Sequence, residues 1–129
     1  MFRSNQAFSS FSSNDIDAAR DFYGNKLGLD ASTGPMGTLE IVLGSGQHVT
    51  IYPKPNHEPA TFTVLNFIVD DIDNAVDDLN AAGVNMIRYD DIPEMNQDAK
   101  GISRDPRGGP AIAWFNDPAG NVIAVLEIR

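Results

Sequence analysis

"DIDAARDFY" (residues 15–23) and "DIDNAVDDL" (residues 71–79) decide how this chain folds, because they are one phrase written twice. Asp15/Asp71, Ile16/Ile72, Asp17/Asp73, Ala19/Ala75 and Asp21/Asp77 all coincide at a single offset of 56 residues. In the first copy Ile16, Ala19, Phe22, Tyr23 and Leu27 recur at helical spacing, and in the second Ile72, Ala75, Val76 and Leu79 do the same. Asn14 and Asp70 stand where a helix N-cap is wanted, acidic residues follow at the positive end of the helix dipole, and Gly28 and Gly83 suit the C-terminal stops.

Strand-like runs surround each helix. "AFSSFSS" (7–13) and "VLNFIVD" (64–70) precede the two helices, and the same offset pairs Phe11 with Phe67. "LDAST", "TLEIVLG" and "HVTIYP" follow the first helix; "VNMIRYD", "AIAWFN" and "VIAVLEI" follow the second. Each half therefore reads β-α-β-β-β. A lone unit of this kind leaves a sheet face and an edge uncovered, so the two are expected to pair. The expected fold class is α+β: two βαβββ modules, about 5–55 and about 61–129, forming one curved, cleft-bearing mixed sheet with helices outside, within a single domain of 129 residues. The proline-rich "YPKPNHEPAT" (52–61) is the connection. The polar, glycine-rich segment 93–110 is expected to be a mobile loop that could act as a lid.

Composition excludes more than it selects. There is no cysteine, which removes disulfides, thiolate nucleophiles and cysteine-based metal sites. A net charge of −9 disfavours nucleic acid as a partner, whose phosphates need a basic footprint. The N-terminal sequence has no apolar core of a signal peptide and no apolar run reaches membrane-spanning length, so the expectation is a cytoplasmic protein with no membrane partner. "GSG" (44–46), "RGG" (107–109) and "DPAGN" (117–121) read as turns, and no serine elbow, HExxH or calcium-loop pattern occurs.

Three motifs in order, "NDIDAARDFYGNKLGL" (14–29), "VDDIDNAVDDLNAAGV" (69–84) and "FNDPAGNVIAVLEI" (115–128), resemble the vicinal oxygen chelate superfamily of glyoxalases, extradiol dioxygenases and bleomycin-resistance proteins over nearly the whole chain. The resemblance implies that each module supplies two ligands, usually His, Glu or Gln, to a central metal. Carried over, those positions fall on Phe8, Thr50, Val64 and Ala124. None is a customary ligand. Hydroxyl and apolar side chains cannot replace the hydration a divalent ion loses, and a shifted register that brought in His48 or Asn66 would still fall short of four donors. The expectation is a member of the superfamily with no metal and no cofactor.

Strand alternation extends the carry-over to a cleft. If Phe8, Thr50, Val64 and Ala124 face inward, so do Ser10, Ser12, His48, Tyr52, Asn66, Ile68, Val122 and Leu126, while the apolar Phe11, Val49, Ile51, Leu65, Phe67, Val69, Ile123 and Val125 face the helices. Trp114 is expected in the cleft with Phe115 in the core; a core or subunit-contact place for Trp114 is the competing reading. The expected ligand-binding residues are Phe8, Ser10, Thr50, Tyr52, Val64, Asn66, Trp114 and Ala124, and the catalytic candidates are His57, His48 and Tyr52. His57 and His48 read equally as a solvated loop residue and a surface strand residue, and Lys54 as an anion-binding group or a solvated edge lysine.

These readings lead to metal-independent binding of a small, partly aromatic or hydrophobic organic ligand by a sequestering, resistance-like or ligand-sensing protein. A bleomycin-like cationic drug is its narrower form. The alternatives are a glyoxalase-related enzyme of lyase or isomerase type, using acid–base residues or an atypical metal site, and an interaction role with the cleft filled by a partner or by the chain itself. A homodimer is expected.

Overall fold

The computed structural model describes residues 1–128. The chain divides into two compact units between Glu58 and Pro59, and each unit is one βαβββ module. The α+β class and the two-module plan are as expected from the repeat. The strands fall into two four-stranded mixed sheets, one per module.

In the first module β1 (Ser9–Ser13) leads into α1 (Ile16–Arg20) and then β2 (Asp30–Thr33), β3 (Leu39–Val42) and β4 (His48–Pro53), with spatial order β1-β4-β3-β2. β1 runs parallel to β4 and the other pairs are antiparallel. Asp15, not Asn14, caps α1: its carboxylate accepts from the Ala18 amide at 3.0 Å. The helix loosens into π-helical turns over Asp21–Lys26, where the Leu27 amide reaches back to Phe22 O, and it ends at Gly28, whose φ of +72° favours glycine. Within those turns the consecutive Phe22 and Tyr23 are both buried, the rings meeting edge-on at 5.1 Å. Phe11, Leu39, Ile41, Val49 and Ile51 are the buried apolar residues of this sheet, and α1 packs on β3 and β4.

The second module repeats the plan as β5 (Thr63–Ile68), α2 (Ile72–Ala81), β6 (Ser103–Arg104), β7 (Ala111–Asn116) and β8 (Val122–Glu127), with order β5-β8-β7-β6. Asp71, one residue after the expected Asp70, caps α2 by accepting from the Asn74 amide at 3.1 Å. The helix buries Ile72, Val76 and Leu79, the i, i+4, i+7 stripe, and it packs on β7 and β8. "DPAGN" forms the β7–β8 turn: the Asp117 carboxylate accepts from the Ala119 and Asn121 amides at 2.9 Å each, and Gly120 takes a φ of +83°.

Two expectations for this module need correction. "VNMIRYD" is no strand: after one bridge between Met86 and Phe115 the segment leaves the edge of β7, and Ser103–Arg104 pairs there instead. The segment 93–110 is no free loop. Gln97 ties it down, its Oε1 accepting from the Tyr89 amide at 2.6 Å and its Nε2 donating to Ile87 O and Gly101 O at 2.9 Å each. Ile102 within it is fully buried. Polar composition had suggested mobility, but one side-chain amide that satisfies three backbone groups is enough to order such a run.

Candidate functional site

One face of the first module's sheet carries Phe11, Ile41, Val49 and Ile51 into the core; alternation puts Ser10, Ser12, Glu40, His48, Thr50 and Tyr52 on the other. Register brings these residues side by side, Ser10 against Thr50, Ser12 against Tyr52 and Glu40 against Thr50. Glu40 Oε1 accepts from Thr50 Oγ1 at 2.7 Å, and its Oε2 accepts from Thr38 Oγ1 at 2.9 Å. At the other end of this face Phe8, 62% exposed, stacks on the His48 ring with centroids 5.4 Å apart.

The chain then builds a concave site where β4 ends. The Lys54 amide donates to Ser13 O at 3.0 Å and prolongs the β1–β4 ladder by one step. "KPNH" then turns sharply, the His57 amide donating to Lys54 O at 3.0 Å, with Pro55 and Asn56 at the central positions such a turn favours. This turn carries the His57 ring back over β1, where Nδ1 lies 2.5 Å from Ser12 Oγ. Ser12 is 9% exposed. A cavity of about 490 Å³ opens here, lined by Ser12, Tyr52, Lys54, Asn56 and Glu58. Lys54 Nζ donates to Asn56 Oδ1 at 3.0 Å, so the ammonium is held at the cavity wall by a neutral partner. The site thus offers a half-exposed phenol ring, a hydroxyl–imidazole pair, one cation and one carboxylate within a single module.

The structure therefore brings Ser12, Tyr52 and His57 together and adds Lys54, Asn56 and Glu58. Glu40 joins them on the sheet itself, and its sequence signal is the parity it shares with Thr50 one strand away. Asn56 and Glu58 carry no such signal, because a turn rather than a strand places them. His48, Ser10 and Thr50 lie along the same face, beyond the cavity lining.

In the second module the corresponding positions have a different setting. Val64 is the extra residue where the β5–β8 register shifts between Thr63 and Leu65, and Asn66 is exposed beside Ala124. Trp114, Val122 and Ala124 are buried in an apolar cluster with Ile87, Tyr89, Met95 and Ile112. The Tyr89 and Trp114 rings meet edge-on at 5.3 Å.

The donor chemistry does not fit the metal that the fold implies. Phe8, Val64 and Ala124 offer no donor atom and Thr50 only a hydroxyl already given to Glu40. Among the described residues no three His, Cys, Asp or Glu side chains converge as an ion would require.

Comparison with known proteins places this geometry. The signature of the Glyoxalase/Bleomycin resistance protein/Dioxygenase superfamily matches residues 9–125. The chain belongs to that superfamily. Solved structures with the same fold include a superfamily member from Sphaerobacter thermophilus, at 24% identity and a TM-score of 0.70 over 95% of this chain and 98% of that one. The antibiotic-binding protein TnmS3 from Streptomyces sp. CB03234 is 23% identical with a TM-score of 0.69, over 99% and 100% of the two chains. The fosfomycin resistance protein FosX from Listeria monocytogenes is 12% identical with a TM-score of 0.73, over 99% and 96%. No curated protein sequence matches the chain. Among the described residues no helix is long and apolar enough to cross a membrane.

Proposed function

We propose that this superfamily member binds a small ring-bearing organic molecule, without metal, in the cavity of its first module. The carrying observation is that cavity itself, about 490 Å³ with the Tyr52 ring beside Ser12, Lys54, Asn56 and Glu58, within the size range of small-molecule pockets. The ring supplies apolar contact, while the hydroxyl, ammonium and amide fix orientation. Ser10, Thr50 and the Phe8–His48 stack extend the surface along β1 and β4 for a larger ligand. A sequestering or resistance-like role agrees with neighbours described as an antibiotic-binding protein and a fosfomycin resistance protein. On this reading the chain works in the cytoplasm as a homodimer, and exposed Phe62 and Ile68 on and beside β5 supply apolar surface for self-association.

The test is a thermal-shift screen of aromatic acids, amines and natural-product antibiotics, followed by calorimetric titration of hits against wild type, Tyr52→Ala and Lys54→Met. A saturable hit stabilises the fold by about 2.7 kcal/mol at a hundredfold excess over Kd. Tyr52→Ala should weaken it at least tenfold. Hits that bind both variants as tightly as wild type, or a panel with no hits, would overturn the proposal.

A further inference from the structure

We propose that Ser12 is a nucleophilic hydroxyl activated by His57, a reactive site that forms a covalent bond with activated acyl- or phosphoryl-type electrophiles entering the first module's cavity. The inference goes beyond ligand binding and does not depend on which ligand binds. It starts from the 2.5 Å separation of Ser12 Oγ and His57 Nδ1, within reach for a hydroxyl to hand its proton to an imidazole. A serine in water is a poor nucleophile; a base that removes its proton as the bond forms is what changes this.

Three further observations fit a working pair. The pair is held from both sides: Ser12 sits in the β1–β4 ladder opposite Tyr52, and His57 is fixed by the turn whose amide donates to Lys54 O at 3.0 Å. Ser12 also lines the cavity, so an electrophile has room to approach it, yet at 9% exposure it is screened from bulk water. Lys54 lines the same cavity, so a positive charge borders the space an attacked electrophile would occupy. An ordinary buried serine–histidine hydrogen bond needs neither the cavity nor the cation.

With a fluorophosphonate the step balances as follows. The Oγ–P bond forms and the P–F bond breaks; the Ser12 proton passes to His57, fluoride leaves with the bonding pair, and the imidazole then releases its proton to solvent. With an activated ester the corresponding step forms the Oγ–C bond, expels the alkoxide or phenolate, and returns the proton from His57 to that leaving group.

The experiment incubates the full chain with a fluorophosphonate probe and locates the adduct by peptide mass spectrometry, with rates measured from pH 5 to 9. The expected result is one adduct on Ser12, absent in Ser12→Ala, forming at a rate that rises with pH as an imidazole base requires. In His57→Gln the rate falls at least tenfold and the pH dependence flattens. Circular dichroism checks that each variant is folded, and the wild-type pH profile stands even if a variant fails. No adduct, an adduct on Tyr52 or Lys54 instead, a pH-independent rate, or equal labelling of folded His57→Gln would each overturn the proposal. None of these outcomes touches the binding screen, which reads reversible affinity at Tyr52 and Lys54.

Discussion

Arg104 Nη2 lies 3.0 and 2.9 Å from the two carboxylate oxygens of Asp73, joining the short strand β6 to helix α2. Lys100 Nζ stands 3.4 Å from the same aspartate and 3.0 Å from Asp77, one turn along the helix. Arg104 Nε adds a contact of 3.6 Å to Asp98. An isolated surface pair stabilises little, but here five charges form one network at the base of the segment that Gln97 ties down. The network thus continues the ordering of a run whose composition suggested a loose loop.

The hydrogen bond from Arg104, aided by both neighbouring cations, holds the Asp73 carboxyl below the usual aspartate range. The folded chain therefore gives up this proton at lower pH than the unfolded chain does. The resulting stability is present above the ordinary aspartate pKa and is lost as pH falls through the lowered one. Lys100 is shifted upward, chiefly by its hydrogen bond to Asp77, so its share is lost only as pH rises above the usual lysine range. Melting temperature measured from pH 2 to 7 should fall more steeply in wild type than in Asp73→Asn across the acid limb, and the difference should shrink in 1 M salt. Parallel acid limbs would remove the network from any role in stability.

The helix starts offer a sharper comparison, because two aspartates stand side by side and only one does the capping. Asp71 accepts from the Asn74 amide, and its Oδ2 also accepts from Asn74 Nδ2 at 3.1 Å. Asp71→Ala should cost about 1 kcal/mol in urea unfolding, while Asp70→Ala should cost a few tenths at most. Equal costs would mean that the carboxylate acts through charge at the helix end rather than through the cap.

Trp114 reports on the apolar cluster of the second module. It is the chain's one tryptophan, 9% exposed and edge-on to Tyr89. Tyr89→Ala should remove about 2 kcal/mol of stability and shift tryptophan emission to longer wavelength as water reaches the indole. Emission that stays at the wild-type wavelength would show that Ile87, Met95 and Ile112 suffice to cover the ring.

The limits of the sequence reading have physical causes. Repetition of "DID" with its apolar spacing made the module order legible, although the buried positions differ: Ala19, Phe22 and Tyr23 in the first copy, Ile72, Val76 and Leu79 in the second. The caps lie one residue later than the sequence suggests because Asn14, Asp15, Asp70 and Asp71 are all competent capping types, and only backbone geometry selects whose side-chain oxygen meets the third amide. Alternation made the face bearing Ser12, Thr50 and Tyr52 legible. It could not reveal that His57 folds back to Ser12, which depends on the turn at Pro55 and Asn56, or that Ile87, Tyr89 and Met95 cover Trp114, which depends on how a long connection returns to its own sheet. The repeat also concealed an asymmetry: the first module's sheet face is polar and carries a cavity, while in the second Trp114, Val122 and Ala124 are filled in by the chain itself.

That asymmetry bears on metal binding. A divalent ion needs several donors free to turn toward one point. In the first module three donor-type side chains already have other engagements: His57 Nδ1 with Ser12, Glu40 with Thr38 and Thr50, and His48 stacked on Phe8. Binding an ion would have to break these contacts and offset their loss with fewer ligands than a stable site uses. Titration of chelator-free protein with nickel, zinc, manganese, cobalt or iron should therefore leave the melting temperature within about 1 °C of the apo value, since appreciable occupancy would stabilise the fold by mass action. A saturable shift with stoichiometric metal, abolished by His48→Gln or His57→Gln, would instead show that these residues reorganise into a site, and it would return metal-assisted chemistry to this cavity.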